Sequence, residues 1–453
     1  MSSPEAVERV LAVVEERGLR HVTIGVFDVN ARLRAKRFNV ANLRKGLIEG
    51  TPFIAGVLAN SPAEDLIETN PLVDPKDQFR DGLLLLDAES CRDLPFGDPK
   101  SLVIIGQYGE GDEIYCPRAR LSLELERIEA LGFEAFGGFE LEGCVLAETE
   151  ASVREKVPHT VALQPGYERY CSFDQITGMP LVDEIEAACA AMRIGIDTLH
   201  TEYIGQLEAG LSPVRGLQIA DDAALYKTIA KTIVRRHDGM ITFMARRNSE
   251  NQGCGAHVNI SLRERGSDCA AFYDPEGPDH MGATLRHFLG GLHAHVPELF
   301  LLFAPHVNSF KRLQPGLFTP LHNTWGFNNK TVAFRVLTTS PAATRIEVRI
   351  PGADINPYLA LCAVLIAGRR GIEERLEPPA ATVGDGWSLE KSPEPLFPRT
   401  FAEAIERFEG SALAREALGD AFVDIFASDR RWEIDQLERT VTDWEVRLLA
   451  ESV

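Results

Sequence analysis

The sequence predicts an α+β fold in which a small β domain precedes a larger domain of mixed helices and strands. Three observations predict it. The chain opens with a charged helical pattern, MSSPEAVERVLAVVEERG, strand patterns follow up to residue 110, and helical and strand patterns then mix without a regular alternation. With 453 residues, of which 45% are hydrophobic, the chain is long enough to bury a core in two domains or one large one.

The first domain is marked by a hairpin pattern and a further strand. Residues 21–38, HVTIGVFDVNARLRAKRF, combine an apolar strand, a turn at Asn30 and Ala31, and a strand of alternating basic residues. Residues 101–109, SLVIIGQYG, form another apolar strand after the proline- and aspartate-rich segment CRDLPFGDPK. We therefore predict a first domain over residues 1–110 and a second domain over residues 111–453.

The second domain opens with a helix. In CPRARLSLELERIEALG, Pro117 occupies the first turn and Gly132 follows the end. Further helical patterns lie in LVDEIEAACAAMR, DAALYKTIAKTIVRRHD and GATLRHFLGGLHAHVPELFLLF, and strand patterns lie in GGFELEGCVL, MITFMA and GAHVNISL.

Charge and composition exclude several classes of function. The formal net charge is -20 and no block of lysine or arginine stands out, which argues against nucleic acid or an anionic membrane as a partner. The N-terminus lacks an apolar secretory core and no apolar stretch of about 18 residues occurs, so we expect a cytoplasmic protein. Eight cysteines without C-x-x-C spacing favour reduced thiols over disulfides or zinc ligands.

Two carboxylates stand out in the apolar strand GGFELEGCVL. Because side chains alternate faces along a strand, Glu140 and Glu142 point one way while Phe139 and Leu141 point the other. Unpaired carboxylates are costly to bury, so such a pair faces a cation, a metal ion or open water. An edge strand with a solvated face is the alternative.

Similar groups recur further along the chain. In HTEYIGQLEAGL, Glu202 and Glu208 are six residues apart, a spacing that one strand would present on one face. His257 follows two glycines on a strand, and Glu347 lies between Arg345 and Arg349 in TRIEVRI. Taken singly, a lone histidine on a strand is more often structural, and a lone glutamate between arginines is more often part of an ordinary ion pair.

In combination these segments resemble the glutamine synthetase family, over nearly the whole chain. The resemblance is strongest in GGFELEGCVL, GCGAHVNISL, NSFKRLQPG, RIEVRIPGADINPYLALCAVLIAGRRGIEERL and VTDWE. It implies an N-terminal β-grasp-like domain and a C-terminal glutamine synthetase-type catalytic domain whose strands form part of a barrel. It also implies a homo-oligomer, a dodecamer of two stacked hexameric rings, in which the neighbouring subunit completes each active site.

The resemblance implies a two-metal site on six side chains. The first metal would be bound by Glu142, Glu202 and Glu208, and the second by Glu140, His257 and Glu347. Five carboxylates and one imidazole suit Mg²⁺ or Mn²⁺ better than zinc. ATP is the implied nucleotide, with its phosphates bridged by one of these ions.

Cationic residues map onto the substrate side of the same site. The resemblance implies that Arg312, Arg349 and the backbone of Gly253 hold the glutamate substrate, and guanidinium groups suit its carboxylate. It places Arg335 and Arg345 toward the phosphates, where positive charge stabilises the transferring phosphoryl group. Lys330 stands where an arginine is usual, and Asp197 and Ser261 match nucleotide-contacting positions. Of these residues, the resemblance assigns the catalytic roles to Arg335, Lys330 and Arg312.

The ammonium subsite departs from the family at three positions. Phe318 in PGLFTP replaces the family's glutamate, Ile54 in FIAGV replaces its aspartate, and Gln252 replaces its asparagine. An ammonium pocket needs carboxylates, whereas Phe318 and Ile54 remove negative charge and leave apolar surface. We therefore expect an ATP-dependent γ-glutamyl ligase that uses a larger, less polar amine, such as an alkyl or aromatic amine.

Three alternatives remain open at this point. The chain could be a catalytically silent regulator or scaffold, it could act on another acid, or His322 could supply the base in place of the missing glutamate. The segment DGWSLEKSPEPLFPRT shows no match to the adenylylation loop of some relatives, so covalent control of that kind is not expected.

Overall fold

The computed structural model describes most of the chain. Described residues are 2–65, 67, 70, 80–97, 101–109, 111, 113–155, 180–203, 205–250, 252–389 and 393–452. They form two β-sheets with helices packed around them, so the predicted α+β class is confirmed.

The described helices are α1 (Pro4–Glu16), α2 (Leu43–Glu49), α3 (Pro117–Ala130), α4 (Glu150–Glu155), α5 (Pro180–Ala191), α6 (Gln218–Arg236), α7 (Ala283–Leu299), α8 (Val307–Arg312), α9 (Pro357–Glu374), α10 (Phe401–Gly410), α11 (Ala412–Leu418), α12 (Asp420–Arg439) and α13 (Asp443–Leu449). The described strands are β1 (His21–Phe27), β2 (Leu33–Asn39), β3 (Thr51–Ile54), β4 (Asp81–Leu86), β5 (Arg92–Leu94), β6 (Ser101–Tyr108), β7 (Phe133–Leu146), β8 (Ile196–Thr201), β9 (Gln206–Leu211), β10 (Val214–Arg215), β11 (Met240–Thr242), β12 (Ala256–Glu264), β13 (Trp325–Phe327), β14 (Phe334–Leu337) and β15 (Arg345–Val348).

The first sheet has the order β2-β1-β6-β4-β3, with β5 paired to β6. The predicted hairpin is confirmed, because β1 and β2 pair antiparallel. The carboxylate of Asp28 closes its turn by accepting from the backbone nitrogens of Asn30 and Arg32, both at 2.9 Å. Strand β6 ends at Tyr108 and α3 begins at Pro117. The β-grasp-like class of this domain and its boundary at residue 110 stay predictions.

The second sheet carries the candidate acids. Its order is β13-β14-β15-β12-β7-β9-β8, with β10 and β11 also paired to β7. Register pairs His257 with Glu140 across β12 and β7, and Glu142 with Glu208 across β7 and β9. Acids that are far apart in sequence are therefore neighbours across this sheet.

Helix ends follow the predictions more closely than strand lengths do. Helix α3 has Pro117 at its first position, and Gly132 beyond its end has a φ of +87°, as its predicted boundaries require. The strand expected over residues 240–245 extends only over Met240–Thr242. Of the predicted thiols, Cys171 lies outside the described residues.

Helices α7 and α9 pack closely in the core. A Cβ at Gly371 of α9 would lie 2.1 Å from the carbonyl oxygen of His287 in α7, and one at Gly291 would lie 2.1 Å from that of Ala367. These glycines allow the two helix backbones to approach each other. In the part of the chain that the structure describes, no helix combines the length and the apolar character needed to span a bilayer.

Candidate two-metal active site

A polar cavity of about 320 Å³ opens beside the second sheet. Strands β7, β8, β9, β12, β14 and β15 each contribute to its lining. Glu140 and Glu142 both line it, while Phe139 and Leu141 on the opposite face of β7 are fully buried. The alternation along β7 thus places the two carboxylates as the sequence predicts.

One cluster of potential metal ligands is formed by Glu140, His257 and Glu347. Each offers one ligand atom within 4.8 Å of the others. Nδ1 of His257 lies 3.3 Å from a carboxylate oxygen of both glutamates. Burial would raise the pKa of Glu140, but the hydrogen bond and charge of His257 outweigh it and lower that pKa to about 2.

A second cluster consists of His200, Glu202 and Glu208, again with ligand atoms within 4.8 Å. Both glutamates lie 3.8 Å from a ring nitrogen of His200. Burial and the nearby charges of Glu142, Glu140 and Glu202 raise the pKa of Glu208 to about 9. Four carboxylates crowd together here, and a divalent cation would relieve that repulsion.

The expected single strand through Glu202 and Glu208 is wrong. Glu202 follows the end of β8 and Glu208 lies in β9, so a hairpin brings them together. The backbone nitrogen of Glu202 donates to the carbonyl of Gln206 at 3.2 Å across this turn. His200 was missed, although its i, i+2 spacing to Glu202 in HTE is the signal that could have found it.

Glu142 lies outside both compact clusters among the described residues. Its Oε2 accepts hydrogen bonds from the backbone nitrogen of Gly255, at 2.8 Å, and from Nε2 of Gln206. Sequence reasoning also missed Gln206, whose role depends on this cross-strand contact. The carboxylates and imidazoles together fit Mg²⁺ or Mn²⁺, and the assignment of each of the six predicted ligands stays a prediction.

Three arginines face the acids. Nη1 of Arg335 donates to Glu347 at 2.7 Å, and its Nη2 donates to Asn328 at 2.6 Å. Arg349 also donates to Glu347, which is fully buried. Arg312 is buried too, and burial lowers its pKa.

Gly253 lies directly against Arg312. A Cβ on Gly253 would be 2.6 Å from Cγ of Arg312, so only glycine fits there. Arg312 donates to the carbonyl of Ile350 at 2.9 Å, and Lys330 completes the cationic side of the cavity. The structure therefore brings all the predicted catalytic residues, Arg335, Lys330 and Arg312, into one cavity.

Phe318 lines one side of the cavity and, with the ring of Trp387 that packs on it, forms an aromatic wall. The ring of Phe318 packs edge-to-face on Trp387 with centroids 4.9 Å apart, and 47% of Phe318 is exposed. Oε1 of Gln252 accepts a hydrogen bond from the backbone nitrogen of Phe318 at 2.9 Å. Phe318 and Gln252, two of the three residues at which the ammonium subsite departs from the family, are therefore joined by a hydrogen bond. Nothing in the sequence indicated that Trp387 would lie beside them.

Three residues predicted to contact the nucleotide lie outside this cavity. Asp197, Ser261 and Arg345 line an adjoining cavity of about 300 Å³ that shares Glu140 and Thr198 with the first. Asn259 links the two, because it donates to Glu140 at 3.0 Å and accepts from Arg345 at 2.9 Å.

Two predicted residues lie apart from both cavities. Ile54, at the end of β3, is 39% exposed and is absent from the described lining residues. His322 is also absent from that lining, and its Nε2 lies 3.3 Å from the carbonyl oxygen of Trp387.

The chain is similar to known proteins over most of its length. Residues 114–449 match the family model described as glutamine synthetase, catalytic domain. The chain is 32% identical over 457 residues to the gamma-glutamylethanolamide synthetase GlnA4 of Streptomyces coelicolor, covering 98% of this chain and 95% of that protein. It is 27% identical to the glutamate–isopropylamine ligase of a Pseudomonas species, covering 98% of both.

A solved structure described as a GmaS/ADP complex superposes with a TM-score of 0.83 at 25% identity, covering 97% of this chain and 99% of that one. The match to the family model spans most of the chain, including every metal-ligand candidate. On this evidence the chain belongs to the glutamine synthetase family.

Proposed function

We propose that the protein is an ATP-dependent γ-glutamyl ligase that joins glutamate to an amine of low polarity. The observation that carries this proposal is the aromatic wall of Phe318 and Trp387, where the family's ammonium-using members place a carboxylate. The relatives named gamma-glutamylethanolamide synthetase and glutamate–isopropylamine ligase support an amine substrate larger than ammonia.

The first step would transfer the γ-phosphoryl group of ATP to the γ-carboxylate of glutamate. Arg312, Arg349 and Gly253 hold the amino acid, and the adjoining cavity with Asp197, Ser261 and Arg345 takes the nucleotide. Arg335 and Lys330 offset the charge that spreads over the transferring phosphoryl oxygens. Bound Mg²⁺ or Mn²⁺ would add further positive charge at the phosphates.

In the second step the amine attacks the acyl phosphate. The bond between the acyl carbon and the phosphate oxygen breaks, the phosphate leaves and takes up the proton that the nitrogen loses, and the carboxylate becomes a secondary amide. Phe318 offers the incoming amine an apolar surface and cannot accept its proton, so the amine must enter in its neutral form. Arg349 lies 5.8 Å from the Phe318 ring, and its positive charge further disfavours an ammonium ion there.

An amine panel tests this proposal. Phosphate release that depends on ATP and glutamate is expected to be fastest with alkyl or aromatic amines. Phe318→Glu would lower kcat/KM for these amines about tenfold and raise it for ammonium, since the carboxylate stabilises a cation. Phe327→Glu is the matched control, because Phe327 is 37% exposed but lies outside the described lining of the cavity. Ammonium as the best substrate of the unaltered protein would contradict the proposal.

The two other classes make different predictions in the same assay. A silent regulator would release no phosphate with any amine, yet such a protein has no physical reason to retain the clustered acids and arginines. A ligase for another acid would release phosphate only when glutamate is replaced. His322→Asn is expected to retain turnover, which would exclude this histidine as the base.

We further propose a cytoplasmic dodecamer of two hexameric rings, each chain divided at residue 110. Two features support assembly. Ile54 lies outside the cavity of its own chain, which leaves it available to complete a neighbour's site. The C-terminal residues Val441, Trp444 and Val446 are 76%, 64% and 52% exposed, a large apolar surface for a single chain.

A further inference from the structure

Two cysteines lie in contact beneath the candidate active site. Cys144 in β7 and Cys254 before β12 are 110 residues apart, and their Sγ atoms are 3.5 Å apart. Both side chains are buried, with 4% and 2% of their surfaces exposed. The two thiols therefore form a preassembled pair.

Both cysteines are close neighbours of site residues. Cys144 follows Glu142 by two positions on the same strand, and Cys254 lies between Gly253 and Gly255. Gly253 packs on Arg312, and the backbone nitrogen of Gly255 donates to Glu142 at 2.8 Å. A change at Cys254 thus acts directly on two contacts that shape the cavity.

We propose that Cys144 and Cys254 form a peroxide-sensitive disulfide that switches off the enzyme. In this reaction the two thiols lose two electrons and two protons, one S–S bond forms, and the O–O bond of hydrogen peroxide breaks to give two water molecules. The reaction requires no reactant beyond these three groups.

Hydrogen peroxide can approach from the cavity. Gln206 lines the cavity, and its Nε2 lies 3.7 Å from Sγ of Cys254. Gly253, the next residue, also lines the cavity. A residue that lines the cavity is therefore in contact with Cys254, and hydrogen peroxide, which is close to water in size, is the oxidant expected to reach the pair.

The disulfide would distort the site because its neighbours are packed tightly. An S–S bond is about 2.05 Å long, so the sulfur atoms must approach by about 1.5 Å. The backbone of Cys254 is held on both sides, by a 2.8 Å hydrogen bond to Ala245 and a 2.9 Å hydrogen bond from Ala353. Gly253 already packs against Arg312, so movement of Cys254 would disturb that contact and, through Gly255, the hydrogen bond to Glu142.

The experiment treats the full-length protein with hydrogen peroxide and follows phosphate release and peptide masses together. A cross-linked peptide pair containing Cys144 and Cys254 is expected, with kcat falling about 100-fold because the cavity residues are misplaced, and with recovery after dithiothreitol. Cys144→Ser and Cys254→Ser, each compared with its own untreated state, should resist inactivation.

Cys269→Ser is the matched control, because Cys269 is exposed and meets peroxide first. This variant should remain as sensitive as the unaltered protein. The proposal is overturned if the two serine variants are inactivated like the unaltered protein, or if both thiols remain alkylatable after activity is lost. The peptide masses show whether the disulfide forms even if no amine substrate has been found, so they test this proposal separately from the proposed ligase activity.

Discussion

Glu347 shows how single residues are held in this site. It is fully buried and contacts Arg335, Arg349 and His257. A buried carboxylate is tolerated when charged groups of opposite sign and hydrogen bonds satisfy it. The ion pair that the sequence offers as the alternative for Glu347 is present with Arg349, and the role of Glu347 as a metal ligand stays a prediction.

Arg335→Lys tests whether the guanidinium fork is needed. Arg335 reaches Glu347 with Nη1 and Asn328 with Nη2, whereas a lysine ammonium can hold only one of them in this geometry. We expect kcat to fall about 100-fold with the fold intact, measured by phosphate release and circular dichroism. Arg286→Lys, at an exposed pair with Glu377, is the control and should leave kcat unchanged. Equal activity of both variants would show that charge alone suffices at Arg335.

Metal binding should release a proton from Glu208. Without a cation its pKa is raised to about 9, so at neutral pH the group carries a proton that a metal ligand must lose. Below pH 9 the affinity for Mg²⁺ therefore rises with pH, by up to about tenfold per unit for one released proton.

Calorimetry in buffers of different ionisation enthalpy counts these protons. Glu208→Gln should release about one proton fewer per chain at pH 7, since the amide has none to lose. Glu89→Gln, at an exposed pair with Arg9, should leave the count unchanged. If the unaltered protein and both variants release the same number of protons on metal binding, the released proton does not come from Glu208.

At the scale of elements, period-2 alternation predicted β7 well, because one face of that strand is fully buried. The hairpin of β8 and β9 was not predicted. Its turn at Tyr203 contains none of the asparagine–glycine pairs that signal tight hairpins, so an even spacing suggested one continuous strand. His200 and Gln206 were missed for a related reason. Their importance depends on which strands are neighbours, and periodicity along one strand does not encode that order.

The contact between α7 and α9 gives a test at the same scale. Gly371→Ala would force a Cβ to within 2.1 Å of the carbonyl oxygen of His287, and we expect it to lower the free energy of unfolding by about 3 kcal/mol. Gly410→Ala is the matched control in α10, where the new methyl group meets nothing within 4 Å. It should raise the same free energy by about 0.5 kcal/mol, because alanine favours helix. Urea titration measures the free energy of unfolding of both variants. Equal changes in the two variants would mean that α7 and α9 can move apart without a loss of stability.

At the scale of the whole molecule, ion pairs join the first sheet and its flanking loop to helices α3 and α6. Arg118 in α3 pairs with Asp221 of α6 at 2.9 Å and with Asp87 beside the first sheet at 2.7 Å. Arg92 of β5 pairs with Asp222 at 2.6 Å. Breaking such a buried network leaves uncompensated charge, so the first sheet is held in a defined position relative to the cavity. In that position Ile54 is not among the described residues that line the cavity of its own chain.

Mixed assemblies test whether Ile54 acts on a neighbouring chain. Arg335→Ala disables the site of its own chain, whereas Ile54→Trp would disable the site of the chain next to it. In a head-to-tail ring, an active site forms where a chain with Arg335 intact lies next to a chain with Ile54 intact. Random co-assembly of the two variants gives this pairing in roughly a quarter of sites. Phosphate release should therefore return to about a quarter of the unaltered rate. Co-assembly of Arg335→Ala with Arg349→Ala is the control, and it should restore nothing at the shared cavity, because both residues line the cavity of one chain. If the first mixture is no more active than the sum of its parts, Ile54 does not complete a neighbour's site and the ring proposal loses its functional basis.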